Sequence, residues 1–405
     1  MKTFKCTCPT QPSLFFENTS CTACGRVTGL TDDFNKVQPF DLDEATGYFK
    51  LQGVSTQRYK KCHNFANHQA CNGMVAVDMT ATQMDAAAEV NIAAAPVNGV
   101  INDGDLCFAC KFNELIPDLN VAGHLPLWQK LETAKRRALY TLNALPVPLK
   151  NLREDADTGL SFDFTTDRNV QDHFASRIKN LPAVMTGHNC GHITINLAEA
   201  DDVSRSKTQL DMGEQYRTLL GHFRHELGHY YFDQLIANDP KKHALCKSYF
   251  GDDEQDYQAA LDKHYQEGTP SNWYDTFISQ YASMHPWEDW AETWAHYLHI
   301  IDTLETAQNY GIRFGSNNTA PAVGEVSDLS LPQNQDFFYF QSSFNNIIDS
   351  WVSFSIMLNS LNRSMGLQDA YPFVLTQPVR NKLMFVHHAI HNKLDNLPDE
   401  APMQA

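Results

Sequence analysis

The stretch Arg224-His225-Glu226-Leu227-Gly228-His229-Tyr230-Tyr231 decides how the chain is read. Residues four apart share one face of a helix, so His225 and His229 can present ring nitrogens to a single metal ion. Glu226 lies between them and can reach a metal-bound water as general base. The flanking residues have helical character. Leu219 and Leu220 precede the motif, Leu227, Tyr231, Leu235 and Ile236 recur at helical steps, and no proline interrupts 213–239. The pattern predicts a helix over roughly 212–237. Two imidazoles leave zinc unsaturated, so a catalytic site needs a third protein ligand and an open position for water.

That ligand is sought on a second element, His285-Pro286-Trp287-Glu288-Asp289-Trp290-Ala291-Glu292-Thr293-Trp294-Ala295-His296-Tyr297. Pro286 suits a first helical turn, and Glu288 and Glu292 then lie one turn apart on one face. Glu288 is the candidate ligand. Glu292 is the carboxylate expected to accept the free ring N–H of a ligating histidine. Asp289 points about 100° away, and three tryptophans in the segment argue against a solvated acidic face. Tyr281 precedes Glu288 by seven residues, at the end of a helix expected over 272–283. Its phenol is placed to donate to an oxyanion, with Tyr230 and Tyr231 as competitors. His222, His296 and His299 read as satisfied structural histidines, and Arg224 as a surface or ion-pair residue. Upstream, 192–197 alternates its side chains like a half-buried strand. As the edge of an active-site sheet it would accept an extended peptide as an added strand, with Ile193 and Ile195 as candidate substrate-binding residues.

Eight of the ten cysteines lie between residues 6 and 110. Cys6-x-Cys8 and Cys21-x-x-Cys24 offer four thiolates in two close pairs, which suits a closed tetrahedral zinc shell. Cys62, Cys71, Cys107 and Cys110 form a looser second set, in which His63 or His68 can substitute. The expectation is two structural zinc ions of the ribbon or knuckle kind, against free core thiols or an iron–sulfur cluster.

The chain has 405 residues with net charge −17, from 31 basic and 48 acidic residues. Acidity argues against nucleic acid and anionic membranes as partners, and the cysteine-rich part has 9 basic and 13 acidic residues. No run approaches the ~20 apolar residues a membrane helix needs. The first residues meet Cys6 before any apolar run, unlike a signal peptide. The expectation is a cytoplasmic protein, with thiols available to metals.

Composition divides the chain into a cysteine-rich, zinc-ribbon-like region at 1–118, a second domain at 119–395 that carries the His225–His229 motif, and a flexible tail at 396–405. Helices are expected near 125–145, 212–237, 254–266, 272–283, 286–307, 336–361 and 376–393. Short strands are expected at 160–164, 183–186 and 192–197. Few strands followed by many helices give an α+β fold, mostly helical with a small sheet.

With these motifs in place, the chain resembles the bacterial zinc-binding metallopeptidases that carry an N-terminal zinc ribbon. The matching stretches are 5–25, 62–72, 107–119, 130–142, 186–202, 214–231, 250–264, 279–306 and 361–373, with 219–231 and 285–300 the most specific. The resemblance implies a zincin of the glutamate-ligand class, with His225, His229 and Glu288 as ligands and Glu226 as base. The expected activity is zinc-dependent hydrolysis of peptide bonds in a protein or peptide substrate. Two rivals are a non-catalytic zinc-stabilised interaction or regulatory protein and a zinc hydrolase of a non-peptide amide. Oligomeric state is not readable from the sequence.

Overall fold

The computed structural model describes residues 2–31, 36–53, 56–77, 103–166, 187–189, 191–202, 218–312 and 343–397. The expected strand at 183–186 and almost all of the tail lie outside these residues.

The N-terminal part is built from sheet. Strands β1 (Phe4–Lys5) and β2 (Ser13–Leu14) form a small hairpin. β3 (Val27–Leu30), β4 (Val37–Asp43), β5 (Tyr48–Leu51), β6 (Arg58–Lys61) and β7 (Met74–Val77) form a five-stranded antiparallel meander in sequence order. Leu30, Val37, Phe40 and Met74 are buried, so the sheet has an apolar face although its strands are short. Helix α1 (His63–His68) sits between β6 and β7.

A second sheet, ordered β10-β11-β9-β8, comprises β8 (Asn113–Leu115), β9 (Ser161–Thr165), β10 (Gly187–Asn189) and β11 (His192–Asn196). β9 runs parallel to both β8 and β11, while β10 and β11 are antiparallel. This sheet begins at Asn113, ahead of the compositional break at 118. Helix α2 (His124–Asn143) buries Trp128, Leu131, Ala138, Leu139 and Leu142 along one stripe.

The remaining elements are helical. They are α3 (Leu219–Phe232), α4 (Pro240–Phe250), α5 (Tyr257–Glu267), α6 (Pro286–Asn309), α7 (Phe344–Ser364) and α8 (Gln377–Ile390). A π-helical turn, Asp233–Ala237, continues α3. Phe162 and Phe164 of β9 alternate onto the inner face of the sheet, where their rings lie 5.6 and 6.3 Å from that of Phe223 on α3. The core thus sits between the small sheet and the α3–α6 pair. No helix among the described residues is long and apolar enough to cross a membrane.

Two sequence expectations change. The segment 272–283 is two 3-10 turns, Trp273–Asp275 and Tyr281–Ser283, where a helix was expected. It follows Gly268 at φ 74°, and Pro270, Ser271 and Asn272 favour turns over a continuous helix. Helix α4 was missed, although Asp239 caps it by accepting from Lys241 and Lys242 N–H and Pro240 opens its first turn.

Candidate functional site

Helices α3 and α6 approach closely because residue 228 is glycine. A Cβ there would lie 2.8 Å from Ala291 Cα and 3.2 Å from Trp294 Cβ. Trp290 Nε1 donates to the Gly228 carbonyl at 2.8 Å, and the Tyr231 and Trp294 rings stack at 4.8 Å. This contact sets the two imidazoles of α3 against the carboxylates of α6.

His225, His229 and Glu288 converge, each buried and each offering one ligand atom. His225 Nε2 and His229 Nε2 are 3.1 Å apart, and Glu288 Oε2 lies 2.9 and 3.5 Å from them. Three donors on a tetrahedral zinc with bonds of about 2.0–2.1 Å stand about 3.3–3.4 Å apart, so the triangle is of zinc size. Glu288 Oε2 has no hydrogen-bond partner despite these short distances. The donors therefore converge on a shared point, and their chemistry fits zinc. Glu226 Oε2 is likewise buried without a partner, an arrangement that costs free energy unless a ligand at the shared point meets it.

The groups behind the donors are mostly engaged. His225 Nδ1 donates to Glu292 Oε1 at 2.7 Å, and Ser279 Oγ donates to Glu292 Oε2 at 2.6 Å. Tyr257 donates to Glu288 Oε1 at 2.9 Å, leaving Oε2 for the shared point. His229 Nδ1 has no partner among the described residues, and Trp287 lies over its ring at 3.7 Å.

Charge follows this geometry. Burial pushes the Glu288 carboxyl up, but the charge of His229 and the close approach of both imidazoles hold it well below the ordinary range. Burial also opposes ionisation of Glu292, yet its hydrogen bond from His225 helps to bring it down to about 2. Burial lowers His225, but Glu288 and Glu292 raise it well above an ordinary imidazole. Glu226 is lowered, since His222, His225 and His229 outweigh its burial.

The tyrosines separate by partner. Tyr230 donates to Thr158 O at 3.0 Å and Tyr231 to Pro148 O at 2.8 Å, so both hydroxyls serve the fold. Tyr281 has its ring 5.8 Å from His225, and its phenol is influenced by that of Tyr257. Burial and Glu288 raise both phenols, which keeps them neutral donors. The sequence reading missed Tyr257. Its one signal was the first turn of a helix capped by Asp256, with nothing to place it beside Glu288.

Ile193 and Ile195 require correction. Both are buried in the core, on an interior strand bounded by β10 and β9. Their side chains face the core and not the surface, and among the described residues the outer strand on that side is β10. Arg224 is a buried ion-pair residue, bonded to Asp302 at 2.5 Å and to His299 Nδ1 at 2.6 Å. His296 meets Tyr371 at 2.8 Å. His222, read as structural, touches Glu226: Nε2 to Oε1 is 3.2 Å.

The eight N-terminal cysteines fall into two groups of four, Cys6, Cys8, Cys21 and Cys24, then Cys62, Cys71, Cys107 and Cys110. The Sγ atoms of Cys6 and Cys24 are 3.8 Å apart, and those of Cys71 and Cys107 are 3.9 Å apart. Zinc–sulfur bonds of about 2.3 Å in a tetrahedron space sulfurs by about 3.8 Å, so both groups fit zinc. The second group joins the two sheets. Cys62 and Cys71 flank α1 beside the meander, whereas Cys107 and Cys110 lie at the turn Phe108–Phe112 that runs into β8. Gly73 permits this, since a Cβ there would lie 2.2 Å from Cys107 Cβ. Burial raises the Cys62 and Cys71 thiols, while hydrogen bonds from Cys110, Cys62 and Cys71 hold Cys107 well below its ordinary value.

Comparison with known proteins agrees with this layout. A zinc-ribbon domain family matches residues 3–96. Uncharacterised proteins of Mycobacterium bovis and Mycobacterium tuberculosis are 43% identical over 288 residues, covering 71% of this chain and 76% of theirs. No solved structure matches. A second family, described as "Putative zinc-binding metallo-peptidase", matches residues 124–389, which carry both site helices, and the chain belongs to that family.

Proposed function

We propose that the protein is a zinc-dependent peptidase of the glutamate-ligand zincin class. It acts on peptide bonds of a protein or peptide through a centre held by His225, His229 and Glu288. The observation that carries this reading is the convergence of those three buried donors beside a buried, partnerless Glu226 Oε2. Zinc, when bound, supplies Lewis acidity toward the scissile carbonyl and acidifies water. Glu226 takes the proton of the attacking water and returns it to the leaving amine. Glu292 orients His225, and Tyr257 leaves Glu288 one oxygen for the metal. Tyr281 donates to the developing oxyanion. An extended substrate pairs with β10, the outer strand on the His188 side among the described residues.

The ribbon-like region at 1–118 carries two structural zinc ions and the domain at 119–395 carries the catalytic one. The thiol clusters favour a reducing cytoplasm, and the acidic charge disfavours nucleic acid and membrane as partners.

The test is a proteome cleavage profile with wild type and Glu226→Gln. The variant is expected to hold as much zinc as wild type, about three ions per chain, and to cleave nothing. Turnover retained in Glu226→Gln refutes the assignment.

A further inference from the structure

The motif's glutamate is held from behind by a histidine and a second carboxylate. His222 lies one turn before Glu226 on α3, so both side chains leave the same face of the helix. Its Nε2 is 3.2 Å from Glu226 Oε1, and its Nδ1 is hydrogen-bonded to Glu199 Oε2. Glu199 belongs to the 3-10 turn Leu197–Ala200 that follows β11. That turn is fixed at both ends: Asn196 accepts from Ala198 N–H at 3.0 Å, and Lys130 Nζ donates to Ala200 O at 3.3 Å. The row Glu199–His222–Glu226 thus runs from the small sheet to the metal centre.

The two oxygens of Glu226 are unequal as a result. Oε1 faces His222, and Oε2 is buried with no partner. An imidazole between two carboxylates donates from both nitrogens. One hydrogen bond therefore fixes the rotation of the Glu226 carboxylate, and the other fixes the ring that makes it.

We propose that His222, oriented by Glu199, is a positioning residue that turns the lone oxygen of Glu226 toward the metal-side ligand. This rests on the reading of Glu226 as the base at a zinc held by His225, His229 and Glu288. It adds two residues that the motif does not contain. A histidine serving the fold alone would be indifferent to whether Glu226 is present, and a positioning histidine is not.

Acetohydroxamic acid is a suitable probe, because it chelates zinc and presents its proton to the adjacent base whatever the natural substrate is. The zinc-loaded full chain is titrated calorimetrically, with zinc content and thermal midpoint measured in parallel. Glu226→Gln is expected to weaken binding at least tenfold. His222→Ala is expected to do so about tenfold with unchanged zinc content. His222→Gln, which keeps a donor, stays within threefold of wild type. Glu199→Gln, outside the helix, weakens binding about threefold and carries the comparison if His222→Ala does not fold.

The deciding variant is His222→Ala with Glu226→Gln, expected to bind no more weakly than Glu226→Gln alone. Losses that add, or wild-type affinity in His222→Ala, overturn the role of His222 and leave the metal centre standing. A wild-type protein that holds zinc only at its cysteines, or does not bind the hydroxamate, refutes the peptidase reading and this one with it.

Discussion

Replacing Gly228 by alanine tests whether the α3–α6 contact builds the metal centre. The new Cβ would stand 2.8 Å from Ala291 Cα, 3.1 Å from Ala291 O and 3.2 Å from Trp294 Cβ. Carbon atoms rest at about 3.5–4.0 Å, so the helices must separate by about 1 Å, and the nearest obstacles are backbone atoms that no rotamer change can move. Overpacking costs about 1–3 kcal/mol, while alanine regains about 1 kcal/mol of helix propensity. The net loss is about 0–2 kcal/mol, a fall of a few degrees in Tm. The metal centre is less tolerant. Gly228 lies between His225 and His229, and Ala291 lies one turn from Glu288, so the separation pulls Glu288 from the imidazoles. Coordination distances tolerate about 0.2 Å. Gly228→Ala is therefore expected to lose at least tenfold in zinc affinity at this site while both cysteine sites keep their metal. Dialysis against buffered zinc with metal counting, alongside a melting curve, measures this. A variant that keeps the wild-type zinc complement and Tm refutes the reasoning.

Glu292→Ala removes the acceptor of His225 Nδ1 and is expected to lower zinc affinity about 10- to 100-fold, read by competition with a chelator. Arg224→Ala removes the buried guanidinium that bonds Asp302 and His299 and is expected to cost at least about 1–3 kcal/mol in denaturant unfolding; a loss below about 1 kcal/mol contradicts the buried pair. Cys107→Ser opens the cluster that joins the two sheets, and limited proteolysis is expected to cut between residues 112 and 123 sooner than in wild type. One contribution to the pH dependence comes from His387, which burial brings down to about 3. Its folded value lies below its unfolded value of about 6.5, so the unfolded chain takes up the proton first and stability falls as pH falls through 6.5 toward 3. The slope is about 1.4 kcal/mol per pH unit below 6.5, and His387→Gln is expected to flatten the Tm profile between pH 6.5 and 5.

The local features of the site were legible in the chain itself. A four-residue histidine spacing defines one helical face, Glu288 and Glu292 repeat that spacing after Pro286, and paired cysteines announce closed metal shells. Each of these signals lies within a few turns of helix or a short loop, where covalent geometry alone limits what neighbouring side chains can do. Helix α3 and strand β11 followed from periodicity for the same reason. What periodicity could not supply was partners. Ile193 and Ile195 alternate as an edge strand does, yet β10 covers that edge and the core takes both side chains. Tyr257 reaches Glu288 across 31 residues, Glu199 reaches His222 across 23, and Cys71 reaches Cys107 across 36. These pairings arise only when packing brings distant segments together, and the absence of a side chain at Gly228 and at Gly73 allows two of the closest approaches. The sequence by itself determined which residues could bind a metal. Tertiary packing decided which side chain stands behind each of them, because distance in space between remote segments is set by the whole core.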